Sequence, residues 1–95
     1  MKIVLNKCFG GFGLSQEQAE AYGIDESELL DGVYYGGYHI ERNDPKLVEV
    51  VEMDLPGAYL ADLRVVEIPD SAFWHIDDYD GVESLTWSES EIHYA

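Results

Sequence analysis

Residues 7–15, "KCFGGFGLS", place the chain's single cysteine beside a lysine and three glycines. A glycine-rich turn from strand into helix presents backbone N–H groups that can hold a phosphate or carboxylate. Lys7 would add positive charge and Cys8 a thiol nucleophile. Lys7, Cys8, Gly10, Gly11 and Gly13 therefore form one candidate ligand loop. The loop departs from the known nucleotide motifs. A P-loop needs G-x-x-x-x-G-K-[ST], and neither the spacing nor the lysine is present. Gly11 and Gly13 begin a G-x-G-x-x-G run, but position 16 is Gln. A tight turn with Phe9 and Phe12 packed on the core accounts for the same residues. Catalysis by Cys8 would need a base, and the sequence brings none of His39, His75 and His93 beside it. No catalytic residue is assigned.

The second chemical cluster is "DDYDGVE", with Asp77, Asp78, Asp80 and Glu83. It lacks the length and closing glutamate of an EF-hand loop. The histidines show no metal-ligand spacing, so no metal and no cofactor is expected. Asp77 and Asp78 are adjacent on a strand and point to opposite faces, which excludes a paired acid and base.

Charge is the dominant feature. Twenty acids against five Lys and Arg give a formal charge of −15. From Ser15 to Glu41 there are seven acids and no Lys or Arg; from Val65 to Ala95 there are eight acids and again none. Such a surface repels nucleic acid and anionic lipid, and attracts a basic protein surface. The sequence predicts one continuous negative face from Asp77, Asp78, Asp80, Glu83, Glu89 and Glu91, and a second from Glu17, Glu20, Glu26 and Glu28. Acidity serving solubility alone is the simpler alternative.

The 95 residues are 46% hydrophobic, enough for one small folded domain over 1–95. Residues 2–8 have the composition of a strand. Ser15 and Gln18 form a capping box for a helix that Tyr22 and Gly23 end. Asp25 caps a short helical turn that Gly32 stops. "VYYGGYHI" fits a hairpin about Gly36-Gly37, pairing Val33 with Ile40. Asn43 or Asp44 caps a helix with Pro45 at its first position, and Leu47, Val48, Val51 and Leu55 share its apolar face. Residues 63–68 form a strand. Asp80-Gly81 marks a type I′ hairpin turn that pairs Tyr79 with Val82 and Trp74 with Trp87. This register gathers Trp74, Ile76, Leu85 and Trp87 on a buried face. The fold class is α+β: a small, mainly antiparallel sheet with two or three short helices on one face and a C-terminal hairpin. A lone cysteine and no apolar run of membrane-spanning length point to a soluble cytoplasmic protein.

Four blocks, "KIVLNKCFGGFGLS", "RNDPKLVEVVE", "LADLRVVEIPD" and "WHIDDYDGVE", resemble a widespread family of short bacteriophage- and prophage-encoded proteins. The chain ends in "TWSESEIHYA" where relatives carry a more basic "HRTW"-like tail. The resemblance implies phage origin and action inside a bacterial host cell. Together with the charge, it leads to a non-enzymatic accessory factor that binds and blocks a basic, nucleic-acid-binding site on a host protein. In its sharpest form it mimics nucleic acid and inhibits a defence system such as CRISPR-Cas. The alternatives are a small-ligand protein or enzyme using the Gly10–Gly13 loop, and a phage structural or assembly protein.

Overall fold

A computed structural model describes residues 1–8, 11–35, 40–59 and 61–89. In chain order it contains β1 (Lys2–Asn6), β2 (Leu14–Ser15), α1 (Gln16–Tyr22), a 3-10 turn (Glu26–Glu28), β3 (Val33–Tyr34), α2 (Pro45–Glu52), β4 (Leu63–Glu67), β5 (Phe73–Tyr79) and β6 (Val82–Ser88). The fold is α+β. Among the described residues the strands form three two-stranded antiparallel sheets, β1 with β4, β2 with β3, and β5 with β6.

β1 is the centre of the molecule. Successive strand side chains point to opposite faces, and both faces of β1 are covered. Val4 joins Phe12, Leu14, Ala19, Ile40, Leu47 and Val48 in a core under the helices. Ile3 and Leu5 join Ile68 and Ala72 in a second core, on which Trp74, Ile76 and Leu85 of the hairpin rest. Two-sided burial explains why "IVL" is a continuous apolar run rather than an alternating one. Each of these side chains contributes roughly 2 kcal/mol by leaving water.

The local signals act as their chemistry dictates. Ser15 Oγ accepts from the Gln18 N–H at 3.2 Å, while Gln18 Oε1 accepts from the Ser15 N–H at 3.0 Å. Gly23 closes α1 in the left-handed conformation. Asp44, rather than Asn43, caps α2, accepting from the Lys46 N–H at 2.9 Å, with Pro45 in the first turn. α2 buries Leu47, Val48 and Val50. Val51 is half-buried, and Leu55 lies beyond the end of the helix.

Two expectations need correction. The hairpin about Gly36-Gly37 falls partly on residues 36–39, outside the described residues; Val33 and Tyr34 instead pair with Ser15 and Leu14. This ladder crowds Gly13, where an added Cβ would lie 3.1 Å from Val33 Cγ1. The second concerns the C-terminal hairpin. Its register is the one the turn dictates, from Tyr79 opposite Val82 to Trp74 opposite Trp87. Asp80 and Gly81 both have positive φ, 52° and 87°, as a type I′ turn requires. Yet Trp87 is 44% exposed and only Trp74 is half-buried. A two-stranded ribbon twists strongly, and the apolar layer beneath it reaches Trp74, Ile76 and Leu85 but not Trp87. Accordingly, Trp74→Ala is expected to lower stability by about 2 kcal/mol and Trp87→Ala by less than about 1 kcal/mol. Urea unfolding of the two variants checks this ordering.

One contact ties the two helices together. The Tyr22 O–H donates to Asp44 Oδ2 at 2.7 Å, and Lys46 Nζ lies 5.2 Å from the centre of the Tyr22 ring. The hydrogen bond to Asp44, aided by burial, pushes the Tyr22 phenol up to about 12. The same bond, with the Lys46 N–H, holds Asp44 below the usual carboxylate range. The signs are opposite. The Tyr22 contribution is complete below the unfolded phenol value near about 10 and is lost as pH rises towards the folded value. The Asp44 contribution is complete above the unfolded carboxyl value near about 4 and is lost as pH falls below it. Ultraviolet titration should therefore show a late-titrating phenol that Tyr22→Phe removes, and that variant should lose part of the stability drop on the acid side.

Candidate functional site

The ten acids singled out in the sequence do not form two simple faces. On the hairpin, alternation assigns His75, Asp77, Tyr79, Val82, Ser84 and Thr86 to the outer face. Trp74, Ile76, Asp78, Glu83, Leu85 and Trp87 share the inner face. Asp77, Asp78, Asp80 and Glu89 are exposed. The first three cluster near the turn, with Asp77 and Asp78 on opposite faces. Glu89 follows the end of β6, roughly 25 Å from the turn at the usual rise per strand residue. Glu91 lies outside the described residues. Glu17 and Glu20 on α1, with Glu26 and Glu28 on the 3-10 turn, are all exposed. They belong to the helical side of β1, with the β1–β4 layer between them and the hairpin. The acidic surface is thus a cluster at the hairpin tip and a separate one on the helices, rather than a face running the length of β6.

Glu83 belongs to neither. It is 3% exposed. Arg42 grips it with both guanidinium nitrogens, Nη1 to Oε1 and Nη2 to Oε2, the latter at 2.7 Å. Oε1 also accepts the Asn6 N–H at 2.8 Å, and the Glu83 carbonyl accepts from Lys7 Nζ at 2.8 Å. The expected negative face loses this member because a buried carboxylate must be paired. The pairing also explains why Asp78 can stand opposite Glu83: the charge on Glu83 is balanced by Arg42, and Asp78 Oδ1 accepts the Gly81 N–H at 2.8 Å.

Asn6 completes the centre. Fully buried, it donates through Nδ2 to the carbonyls of Cys8 and Gly81 at 2.8 and 2.7 Å. Its Oδ1 accepts from the N–H groups of Cys8 and Asp62 at 3.3 and 2.9 Å. Sequence reasoning missed Asn6 and Arg42. Asn6 carried a signal, a polar residue ending an apolar strand. Arg42 carried none, because its partner lies 41 positions away.

The candidate ligand loop is engaged in this network. Lys7 holds the Glu83 carbonyl, and the half-buried Cys8 is bound through its backbone to Asn6. The Gly11 N–H approaches the Cys8 carbonyl at 3.4 Å, Gly13 lies against Val33, and Phe12 is buried beneath the Arg42 guanidinium, 4.0 Å from its ring centre. Gly10 and Phe9 lie outside the described residues. Among the described residues, no group of three or more His, Cys, Asp and Glu could hold a metal ion. No helix of the described residues is long and apolar enough to cross a membrane.

All five Lys and Arg have partners within the chain. Lys2 pairs with Glu52 at 2.8 Å, Arg64 with Asp62 at 2.9 Å, Lys46 faces the Tyr22 ring, and Lys7 and Arg42 converge on Glu83. None of them neutralises Asp77, Asp78 or Asp80.

The buried pair sets a clear expectation for stability. Removing one partner, as in Arg42→Met, leaves Glu83 uncompensated and should cost about 3–5 kcal/mol. The double replacement Arg42→Met with Glu83→Leu should recover most of that loss. Denaturant unfolding of the single and double variants provides the measurement.

No family model matches the chain, and neither does any curated protein or solved structure.

Proposed function

We propose that the protein is a small acidic accessory factor of phage or prophage origin that binds and blocks a basic site on a host protein. The observation that carries this reading is the division of charge. Every Lys and Arg is engaged inside the chain, while Asp77, Asp78 and Asp80 project from a hairpin tip with no Lys or Arg paired to them and only His75, 3.3 Å from Asp77, beside them among the described residues. Carboxylates fixed on a rigid turn can take the place of phosphates for Lys- and Arg-lined clefts. A site that normally holds nucleic acid is then the natural target, and a host defence enzyme of the CRISPR-Cas kind is one such target. The acids of α1 and the 3-10 turn extend the field that steers the encounter.

Affinity capture from bacterial lysate tests this reading, with the wild-type chain and a variant carrying Asp77→Lys, Asp80→Asn and Glu89→Lys. Asn is chosen at position 80 because it tolerates the left-handed backbone there. Glu83 is left intact because it is structural. The wild type should retain a nucleic-acid-binding protein at low salt and release it as salt rises. The variant should lose that protein with its melting temperature little changed, since exposed charges contribute little to stability. Equal capture by both proteins, insensitive to salt, would remove the acidic surface from the function.

A further inference from the structure

A groove of about 360 Å³ opens between the inner face of the hairpin and the segment that precedes α2. Ile40, Trp74 and Ile76 give it an apolar wall. Glu41 and Asp78 are exposed at its margin, and the Arg42–Glu83 pair closes one side. The sole cation among the lining residues is therefore already neutralised by a carboxylate. Asp78 uses Oδ1 for the Gly81 N–H, and among the described residues no hydrogen bond reaches Oδ2.

We propose that this groove receives an arginine side chain from the basic partner. The inference rests on the binding function above and deepens it by naming the group that enters. The chemistry matches along the length of the guest. The methylene stem of an arginine can lie on Ile40 and Ile76, while its charged head remains in water. A guanidinium stacks on an indole more favourably than on other rings, and Trp74 supplies one. Its planar fork suits carboxylates, which Glu41 and Asp78 supply, whereas the compact, strongly hydrated lysine ammonium suits this combination less well. The volume lies at the lower end of ligand sites, sufficient for one long side chain and not for a folded element.

The test is an NMR titration of the whole chain with the peptide acetyl-Gly-Arg-Gly-amide, following the indole N–H signals of Trp74 and Trp87. A counterpart peptide with citrulline in place of arginine keeps the shape and removes the charge. The arginine peptide should shift Trp74 saturably and by more than its cross-strand neighbour Trp87, and the citrulline peptide should shift neither. Glu41→Gln and Asp78→Asn should each weaken the arginine peptide roughly twofold to fivefold, as an exposed ion pair allows. Glu49→Gln with Asp54→Asn, exposed and off the groove, should leave it unchanged. No saturable shift at Trp74, an equal response to citrulline, or equal weakening by the Glu49 and Asp54 pair would overturn the proposal. The peptide titration needs no host protein. A failed lysate capture with a successful titration would sink the function and keep the groove; the reverse result would sink the groove alone.

Discussion

A carboxylate carried on the inner, apolar side of a hairpin must meet a cation or stay in water. Glu83 meets Arg42, and much of the molecule is arranged around that encounter. Arg42 sits between the two cores: its guanidinium covers Phe12 of the helical core and reaches towards the Val4 carbonyl at 3.4 Å. Glu83 takes the Asn6 N–H at the end of β1. The hairpin therefore cannot slide along β1 by one residue without stranding a buried charge and an unpaired amide. Compared with a well-packed apolar replacement, such a pair adds little net stability. Its effect is positional, fixing where the hairpin docks.

Some of this was legible in the sequence, and the reasons are local. The capping box at Ser15, the Asp44-Pro45 start of α2 and the Asp80-Gly81 turn are each defined within four residues. A short stretch contains all the chemistry involved. The hairpin register followed from the turn alone. What the sequence could not supply was the relation between segments. Nothing near Glu83 distinguishes it from Asp77 or Asp80, and burial was decided by an arginine from another element. Trp87 looked like a core residue because alternation identifies the face but not how far the opposing layer extends. The division into three small sheets was hidden for the same reason: β2 and β3 are two residues each, too short to leave a periodic signal.

The internal use of the cations also shapes the outside. A chain with five positive side chains could scatter them among its acids and present a patchwork. Here Lys7 and Arg42 are drawn towards one buried carboxylate, and the others are held by Glu52, Asp62 and Tyr22. The structural requirement of the core thus leaves the hairpin tip with a single sign of charge.

The central position of β1 has a consequence for how the chain is made. This strand leaves the ribosome before its partners, yet its ladder requires Leu63–Glu67 and its last residue requires Glu83, 77 positions later. Both apolar faces of "IVL" must wait. Until the later segments emerge, α1 and α2 can form only local turns with no completed layer to pack on, and the exposed strand is a target for chaperones or for pairing with another nascent chain. The hairpin's own ladder is local and can begin to pair early, but its inner face and Glu83 find their partners only on docking. Folding should therefore finish as a closing step that couples β1 to the β5–β6 hairpin, rather than proceed strand by strand in chain order.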